Sequence, residues 1–435
     1  MQKTPEHHVY PLEAMALFLS LVLSAAASLR GAGRAIEVMV LTLQLPFVGP
    51  SWWTGRLWLL RLGCYKLTRP KPHADDWVWI VDHTVQVGPE KCWVILGVRL
   101  GALPPGEYAL RHEDVEPIEL VPVRHSNGTV VYQQLEQAVS KTGLPREILS
   151  DHGTDLQAGI AQFCQQHPQT SAIYDIKHKT AAILKRELEH DADWCRFTQL
   201  ANQSKQRLQQ TALAAWAPPH QKTQARYLNV EVLVAWGRRL LAWFDQPLPA
   251  RARAGDPVLV QDKLGWVMDF RGQLDEWGEL FELMARTESF VRHQGLYADA
   301  HLELEKRLPP PGPMERTRRV RGELIAFVTE QEAQAHPNER LLGSSEVIES
   351  VLGKMKRLER DQSKNGFTGL LLSLGAIVAT TTTAVIQKAL ETVSTQQVWD
   401  WCQKTLGQSV QSKRRAVLVS PGRMEQKRDQ RLAVT

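Results

Sequence analysis

Two aspartates stand at the ends of short apolar runs. Asp82 ends the run that begins at Trp77, and Asp151 ends the run that begins at Glu147. Such runs predict β-strands, whose buried neighbours would hold both carboxylates rigidly near each other. Carboxylate oxygens suit Mg²⁺ and Mn²⁺, and two such ions about 4 Å apart activate the attacking oxygen and stabilise the leaving oxygen of a phosphodiester. The pair predicts a metal-dependent phosphodiester centre; a solvated turn is the alternative for each aspartate taken singly.

The periodicity of residues 71–180 predicts an α/β unit around these aspartates. The predicted strands are 77–81, 92–100, 117–124, 147–149 and 172–174, and the predicted helices are 130–141 and 156–167. A turn at Gly88-Pro89 would join the first two strands. The element order is therefore β-β-β-α-β-α-β.

This order, the aspartate on the opening strand and the segment Ser150-Asp151-His152-Gly153 resemble the ribonuclease H-like superfamily, which contains retroviral integrases and DDE transposases. In that superfamily a Ser-Asp-Asn-Gly or Ser-Asp-Gly-Gly segment follows the fourth strand, and here His152 replaces the usual third residue. The resemblance implies a mixed five-stranded sheet with flanking helices. It also implies a third metal-binding acid on a later helix and two Mg²⁺ or Mn²⁺ ions per active site.

The third acid is expected within residues 341–362. The segment Ser345-Glu346-Val347-Ile348-Glu349-Ser350 resembles the Thr-Asn-Ala-Ile-Glu-Ser segment of Mutator-like and related bacterial transposases, which selects Glu349. Glu346 lies on the same helical face and is the alternative. Lys356 lies two turns further along that face, where the family often places a cation against DNA phosphate.

A shorter motif favours transposases over integrases. Asp175-Ile176-Lys177-His178 follows the last predicted strand and resembles the Cys/Asp-x-x-His motif of Mutator-like, hAT and P-element-type transposases. By resemblance, Asp175 and His178 are accessory residues. His178 is expected to orient the active site or the scissile phosphate without binding metal.

The N-terminal residues predict a helix-turn-helix pattern. Helices are expected at 11–28, 31–43 and 51–67, with Ser51 as the N-cap of the third. That helix mixes tryptophan and leucine with basic residues, so Arg56, Arg61 and Lys66 are predicted DNA contacts. A helical packing module without DNA contact is the alternative.

A long, mainly helical insertion is expected between Asp151 and Glu349. It is rich in tryptophan, most of which should lie in a core. Related transposases with helical insertions can stack a flipped base on a tryptophan, a role predicted here for Trp266 or Trp277. The predicted division is a helical DNA-binding domain at 1–70, a first core part at 71–180, the insertion at 181–338, a second core part at 339–400 and a basic tail at 401–435.

Composition is that of a folded protein: 43% of the 435 residues are hydrophobic and 23% are charged. Lysine and arginine exceed the acids by only 52 to 47, but basic residues cluster near the start, at 316–321 and at 413–431, where phosphates could be met. The five cysteines are far apart and include no CxxC pair, which indicates a reducing cytoplasm rather than disulfides or zinc. The apolar run 367–386 is expected to be a buried helix rather than a membrane span.

The resulting prediction is a prokaryotic, nucleoid-associated transposase that binds double-stranded DNA, both element terminal repeats and target. The resemblance implies a homodimer or larger assembly on DNA, no membrane association and no small-molecule substrate. Two alternatives stay open. One is a nuclease or resolvase of the same fold, and the other is a catalytically silent, transposase-derived regulator that binds DNA.

Overall fold

The computed structural model describes residues 4–6, 8–87, 90–221, 230–248, 251, 256–360 and 369–407, with side chains outside 84–90. Helices α1 to α3 span Leu12–Leu23, Leu29–Leu43 and Trp52–Thr68. Ser51 caps α3 as predicted, because its hydroxyl accepts a hydrogen bond from the Thr54 amide. The predicted Gly88-Pro89 turn and most of the predicted basic tail lie outside the described residues.

A five-stranded mixed sheet follows, as predicted. Its strands are β1 (Trp77–Val87), β2 (Glu90–Arg99), β3 (Glu116–Val123), β4 (Glu147–Ser150) and β5 (Ser171–Tyr174). Helices α4 (Gly128–Thr142) and α5 (Thr154–Gln166) lie between β3, β4 and β5 in the chain. The spatial order is β3-β2-β1-β4-β5, with β1 antiparallel to β2 and parallel to β4. Sheet and helices together are consistent with a ribonuclease H-like fold.

Side chains alternate across the sheet and separate two cores. Trp79 and Ile148 lie in the core that packs under α4 and α5. Ile80 and Leu149 lie in the larger core on the opposite face, which is shared with the other helices. Because side chains repeat every second residue along a strand, the residues two positions after Ile80 and Leu149 point toward this larger core.

The described residues after β5 are mainly helical. The helices among them are α6 (Ile176–Leu188), α7 (Ala192–Leu208), α8 (Glu231–Phe244), α9 (Pro257–Leu264), α10 (Arg271–Gln294), α11 (Ala300–Arg307), α12 (Glu315–Glu332), α13 (Glu346–Arg360), α14 (Ser373–Ile377), α15 (Thr383–Thr392) and α16 (Thr395–Leu406). The apolar run predicted as one buried helix is divided between a 3₁₀ turn, α14 and α15. No helix among the described residues is long and apolar enough to cross a membrane.

Helix α3 packs directly against α14, and two glycines permit this contact. A Cβ on Gly63 would stand 1.7 Å from the Leu372 carbonyl oxygen, and one on Gly375 would stand 2.5 Å from the Gly63 carbonyl oxygen. A side chain at either position would force the helices apart. The N-terminal helices therefore share one core with α13 to α16, while the predicted domain boundaries stay a prediction.

Hydrogen bonds connect the segment before α13 to three other parts of the chain. Leu296, which follows α10, and Leu341 exchange two N–H···O bonds of 2.8 Å each. The Leu342 amide donates to the side-chain oxygen Oε2 of Glu147 in β4 at 2.9 Å, and the amide of Ile176, the first residue of α6, donates to the Gly343 carbonyl at 3.0 Å. The start of α13 is thus held beside β4 and the start of α6.

Glu147 makes this attachment sensitive to pH. The side chain is fully buried, and burial raises its pKa to about 8 although the Leu342 amide lowers it. Because the folded pKa lies above the unfolded value, the stabilisation is complete below about pH 4.5 and is lost as pH rises through 8. Between these limits the wild type should lose on the order of 5 kcal/mol of stability relative to Glu147→Gln, as measured by urea unfolding at several pH values.

Glu339 is the comparison residue for that experiment, because its pKa is lowered whereas that of Glu147 is raised. Burial opposes its ionisation, but hydrogen bonds from Arg146, of 2.7 and 2.8 Å, lower its pKa. The wild type should therefore lose its advantage over Glu339→Gln as pH falls. A wild-type advantage over Glu147→Gln that does not change between pH 5 and pH 8 would contradict the assignment for Glu147.

Candidate active site

Asp82 and Asp151 lie side by side. Val81 and Ser150 are register partners in the parallel pair β1 and β4, and the two aspartates are the next residues along each chain. Adjacent parallel strands are about 4.8 Å apart, and the alternation described above directs both carboxylates to the face of the larger core. The predicted pair is therefore brought together where the pairing of β1 with β4 ends. Asp82 does not end its strand as predicted, because β1 continues to Val87 and pairs with β2 over this stretch.

The carboxylates of Asp82 and Asp151 repel each other. Burial, followed by the negative charge of Asp151, raises the pKa of Asp82 to about 7. The His83 amide donates to Asp82 Oδ1 at 2.6 Å and lowers that pKa, as do the charges of His178 and Lys356. A bound cation would relieve this repulsion between the two carboxylates. Perturbed pKa values of this origin are common at functional sites.

Glu349 reaches the same region from helix α13. Its Oε1 is 3.5 Å from His178 Nε2, and its Oε2 is 3.8 Å from Lys177 Nζ. Burial raises the pKa of Glu349, while these two cations lower it. Glu346, the alternative third acid, instead pairs with Arg292 of α10 at 2.8 Å. The geometry thus distinguishes the two glutamates, which the sequence left open.

Asp175 connects the sheet to α13. Its fully buried carboxylate accepts from the Ser345 amide at 2.6 Å through Oδ1. Through Oδ2 it accepts from the His178 amide at 2.9 Å and bonds His178 Nδ1 at 2.8 Å. Burial lowers the pKa of His178, but Asp175, Glu349 and Asp151 outweigh it and raise that pKa to about 9. His178 is therefore an imidazolium at neutral pH, held between Asp175 and Glu349.

The oxygen ligands of Asp82 and Asp151 fit a hard divalent cation. Asp82 and Asp151 offer adjacent oxygens, and their mutual repulsion is what such an ion would offset. Glu349 is occupied by His178 and Lys177, and no group of three or more acidic, histidine or cysteine residues in the described part of the chain is arranged to hold a metal. The two aspartates would hold the ion, and Glu349 would have to turn from its cationic neighbours to join them.

Comparisons with known proteins add little to this geometry. No family model matches the chain, and no curated protein matches it. A solved structure, the Drosophila P element transposase strand transfer complex, aligns over 89% of this chain and 94% of that chain, at 12% identity and a TM-score of 0.38. A likeness this weak carries no argument about function.

The predicted DNA contacts on α3 lie inside the protein. Arg56 and Lys66 are buried, and Lys66 Nζ pairs with Glu116 at 2.7 Å. Arg61 donates from Nε to the Val393 carbonyl at 2.6 Å and so binds the end of α15. These three side chains do not face phosphates, which corrects the sequence-based expectation: the C-terminal helices that cover them are far away in the chain.

The basic stretch 316–321 is also largely neutralised. Arg316 and Arg319 form ion pairs with Asp191 and Glu187 at 2.8 and 2.5 Å. Arg321 pairs with Glu305 at 3.2 Å. These three arginines attach α12 to neighbouring elements, and their charges are paired with acids.

The two tryptophans predicted to stack on a base differ in exposure. Trp277 is fully buried and meets Trp194 edge to face, so the stacking prediction is wrong for it. Trp266 is half-buried and donates from Nε1 to the Ser204 hydroxyl at 3.1 Å. Both belong to the aromatic core of the helical insertion, as expected for most tryptophans there.

Lys177 and Tyr174 are site residues that sequence reasoning missed. The exposed His152 ring stacks on Tyr174 with centroids 3.7 Å apart and planes within 8°. Burial, followed by Asp151 and Asp175, raises the pKa of Tyr174 to about 12. The position of Tyr174 at the end of an apolar strand, directly before Asp175, was the available signal. His152, the departure from the family segment, thus covers a side chain beside the aspartates.

Proposed function

We propose that this chain is a DDE-type DNA transposase in which Asp82, Asp151 and Glu349 form the centre for strand cleavage and strand transfer. The observation that carries the proposal is the adjacency of two aspartates where the parallel pairing of β1 and β4 ends, with the Glu349 helix bound to the same region through Asp175. Mg²⁺ or Mn²⁺, two ions per site, would activate the attacking oxygen and stabilise the leaving oxygen. The resemblance of the sequence motifs adds support.

The chain's own residues have separate tasks in this proposal. Asp82 and Asp151 form the rigid acceptor pair because Asp82 lies within β1 and Asp151 directly follows the buried strand β4. Asp175 fixes His178, and the His178 imidazolium balances the charge of Glu349. Lys356 is exposed on α13, and its charge acts on Asp82, so it is suited to meet a phosphate that approaches the pair. Double-stranded DNA is the proposed substrate, as element end and as target, bound by a homo-oligomer.

A specific observation favours a second candidate. Glu349 contacts two cationic side chains rather than the aspartates, which would suit a transposase-derived regulator that binds DNA without cleaving it. A nuclease or resolvase would use the same carboxylates but would not join strands. Cleavage therefore separates the regulator from the enzymes, and joining separates the transposase from the nuclease.

The test uses labelled duplexes drawn from the DNA that flanks the reading frame, incubated with supercoiled plasmid and Mg²⁺ or Mn²⁺. The proposal predicts cleavage at a defined position and covalent transfer of the labelled strand into the plasmid. Transfer should also occur from a duplex that already ends in the 3′-hydroxyl. Cleavage without joining would favour the nuclease, and specific binding without cleavage would favour the regulator; either result contradicts the transposase.

A further inference from the structure

Three exposed tryptophans form one surface, here called the aromatic ledge: Trp52, Trp53 and Trp399. Their exposed fractions are 40%, 46% and 37%. Trp52 and Trp53 open helix α3, and Trp399 lies on α16, which packs against α3. Tryptophan is highly buried on average, so three exposed rings in one place call for an explanation.

The rings of the ledge are ordered by their mutual contacts. Trp53 and Trp399 are nearly parallel, with centroids 6.4 Å apart and planes within 20°. Trp52 meets Trp53 edge to face, with centroids 5.6 Å apart. The two helices thus present ring surfaces in fixed orientations, which lowers the entropy lost when a flat ligand stacks on them.

Arginine side chains lie against two rings of the ledge. The Arg30 guanidinium lies 5.3 Å from the Trp52 ring centroid, and the buried Arg56 guanidinium lies 5.3 Å from that of Trp53. Arg30 and Arg34 are exposed, and neither forms an ion pair with a described residue. This contrasts with the arginines of residues 316–321, whose charges are largely paired. Asp400, beside Trp399, accepts a hydrogen bond through Oδ1 from the side-chain amide (Nε2) of Gln396 at 2.8 Å.

We infer that the aromatic ledge binds unpaired nucleotides of single-stranded DNA, with bases stacked on the tryptophans and phosphates near Arg30 and Arg34. Stacked aromatic rings beside uncompensated cations are the combination that single strands require. In duplex DNA the base faces are already covered by their neighbours, so a duplex would gain little from the ledge. The inference deepens the proposed function, on which it rests for the choice of DNA, and it provides a site for a strand exposed during cleavage or joining.

The test measures fluorescence anisotropy of a labelled oligothymidylate of about 20 nucleotides, a length that spans one or more single-strand sites. An abasic oligomer of equal length presents the same phosphates without bases, and a duplex of equal length hides them. EDTA is present throughout, so metal ions at the aspartates do not contribute. The wild type should bind the oligothymidylate more tightly than either control DNA.

Trp53→Ala and Trp399→Ala should each weaken oligothymidylate binding about tenfold, the effect of losing one stacked base. Binding to the abasic oligomer should not change. Trp53→Phe should recover part of the loss, and Arg30→Ala should weaken both oligomers and reduce their salt dependence. Leu302→Ala, which alters an exposed side chain on α11, is the matched control and should bind as the wild type does.

An unchanged preference for oligothymidylate in both tryptophan variants would overturn the inference. So would equal wild-type affinity for the oligothymidylate and the abasic oligomer. If the variants change the sedimentation coefficient of the protein but not the preference, the ledge is an interface between copies, and the inference also fails. Because no metal is used, a protein that fails to cleave or join DNA can still pass this test, so the two proposals fail separately.

Discussion

Asp151→Asn should lower metal-dependent DNA cleavage by on the order of a thousandfold, the size of effect expected when a preorganised charged group is removed from an active site. The amide keeps the shape of the carboxylate but loses the charge that would hold a divalent ion. Single-turnover cleavage of labelled duplex with Mg²⁺ measures the effect.

The same substitution should not destabilise the folded chain. The negative charge of Asp151 contributes to the raised pKa of Asp82, so its removal relieves a repulsion. Asp151→Asn should therefore unfold in urea at the wild-type concentration or slightly above it, with no metal present. Loss of activity together with unchanged or higher stability is the signature of a functional site.

Asp193→Asn is the matched control for this prediction. Asp193 lies in the first turn of α7 in the helical insertion, and its Oδ2 accepts a hydrogen bond from the Gln273 side-chain amide at 3.0 Å. Its removal should leave cleavage within a few fold of the wild-type rate. If Asp151→Asn retained wild-type activity, the assignment of Asp151 would be wrong.

Asp175→Ala should have the largest structural effect in the site. It removes a buried carboxylate with three polar contacts and leaves the His178 imidazolium and the Ser345 amide without their acceptor. Breaking such a buried pair costs about 3–5 kcal/mol. Because the same contacts hold the start of α13, cleavage per folded molecule should fall as well, measured under conditions where the variant is fully folded.

Two further variants separate local capping from the link to Glu349. Asp256→Ala removes the N-cap of α9, whose carboxylate accepts from the Val258 and Leu259 amides, and should cost about 1 kcal/mol without affecting cleavage. Asp175→Asn keeps the volume but not the charge, so the pKa of His178 should fall below its value of about 9, as measured by NMR titration. A His178 pKa that stays near 9 in Asp175→Asn would contradict the link.

The sheet and its aspartate pair could be predicted because their signals are local. Apolar runs of strand length, separated by helical periodicity, predict the element order. The end of the run marks the strand end for β4, directly before Asp151, but not for β1, which continues past Asp82 to Val87. The attachment of α13 could not be predicted in this way. It depends on contacts such as the Glu147 carboxylate with the Leu342 amide, which join residues far apart in the chain.

The environment of the basic residues of α3 could not be predicted from the sequence. Arg61 and Lys66 look like surface cations in an amphipathic helix, but the Val393 carbonyl and Glu116 bind them in the interior. Helical periodicity likewise places Glu346 and Glu349 on one face, and only Arg292, from another helix, distinguishes them. Sequence patterns therefore predicted which elements form, whereas tertiary contacts decided which side chains face the site.

The proposed role of Glu349 is tested most directly by comparing single-turnover DNA cleavage by the wild type, Glu349→Gln and Glu346→Gln in the presence of Mg²⁺ or Mn²⁺. The two variants make the same chemical change one helical turn apart. Glu349→Gln should lose cleavage by on the order of a thousandfold, while Glu346→Gln should stay within about tenfold of the wild type. Equal cleavage by the wild type and Glu349→Gln, or loss of cleavage in Glu346→Gln alone, would contradict it.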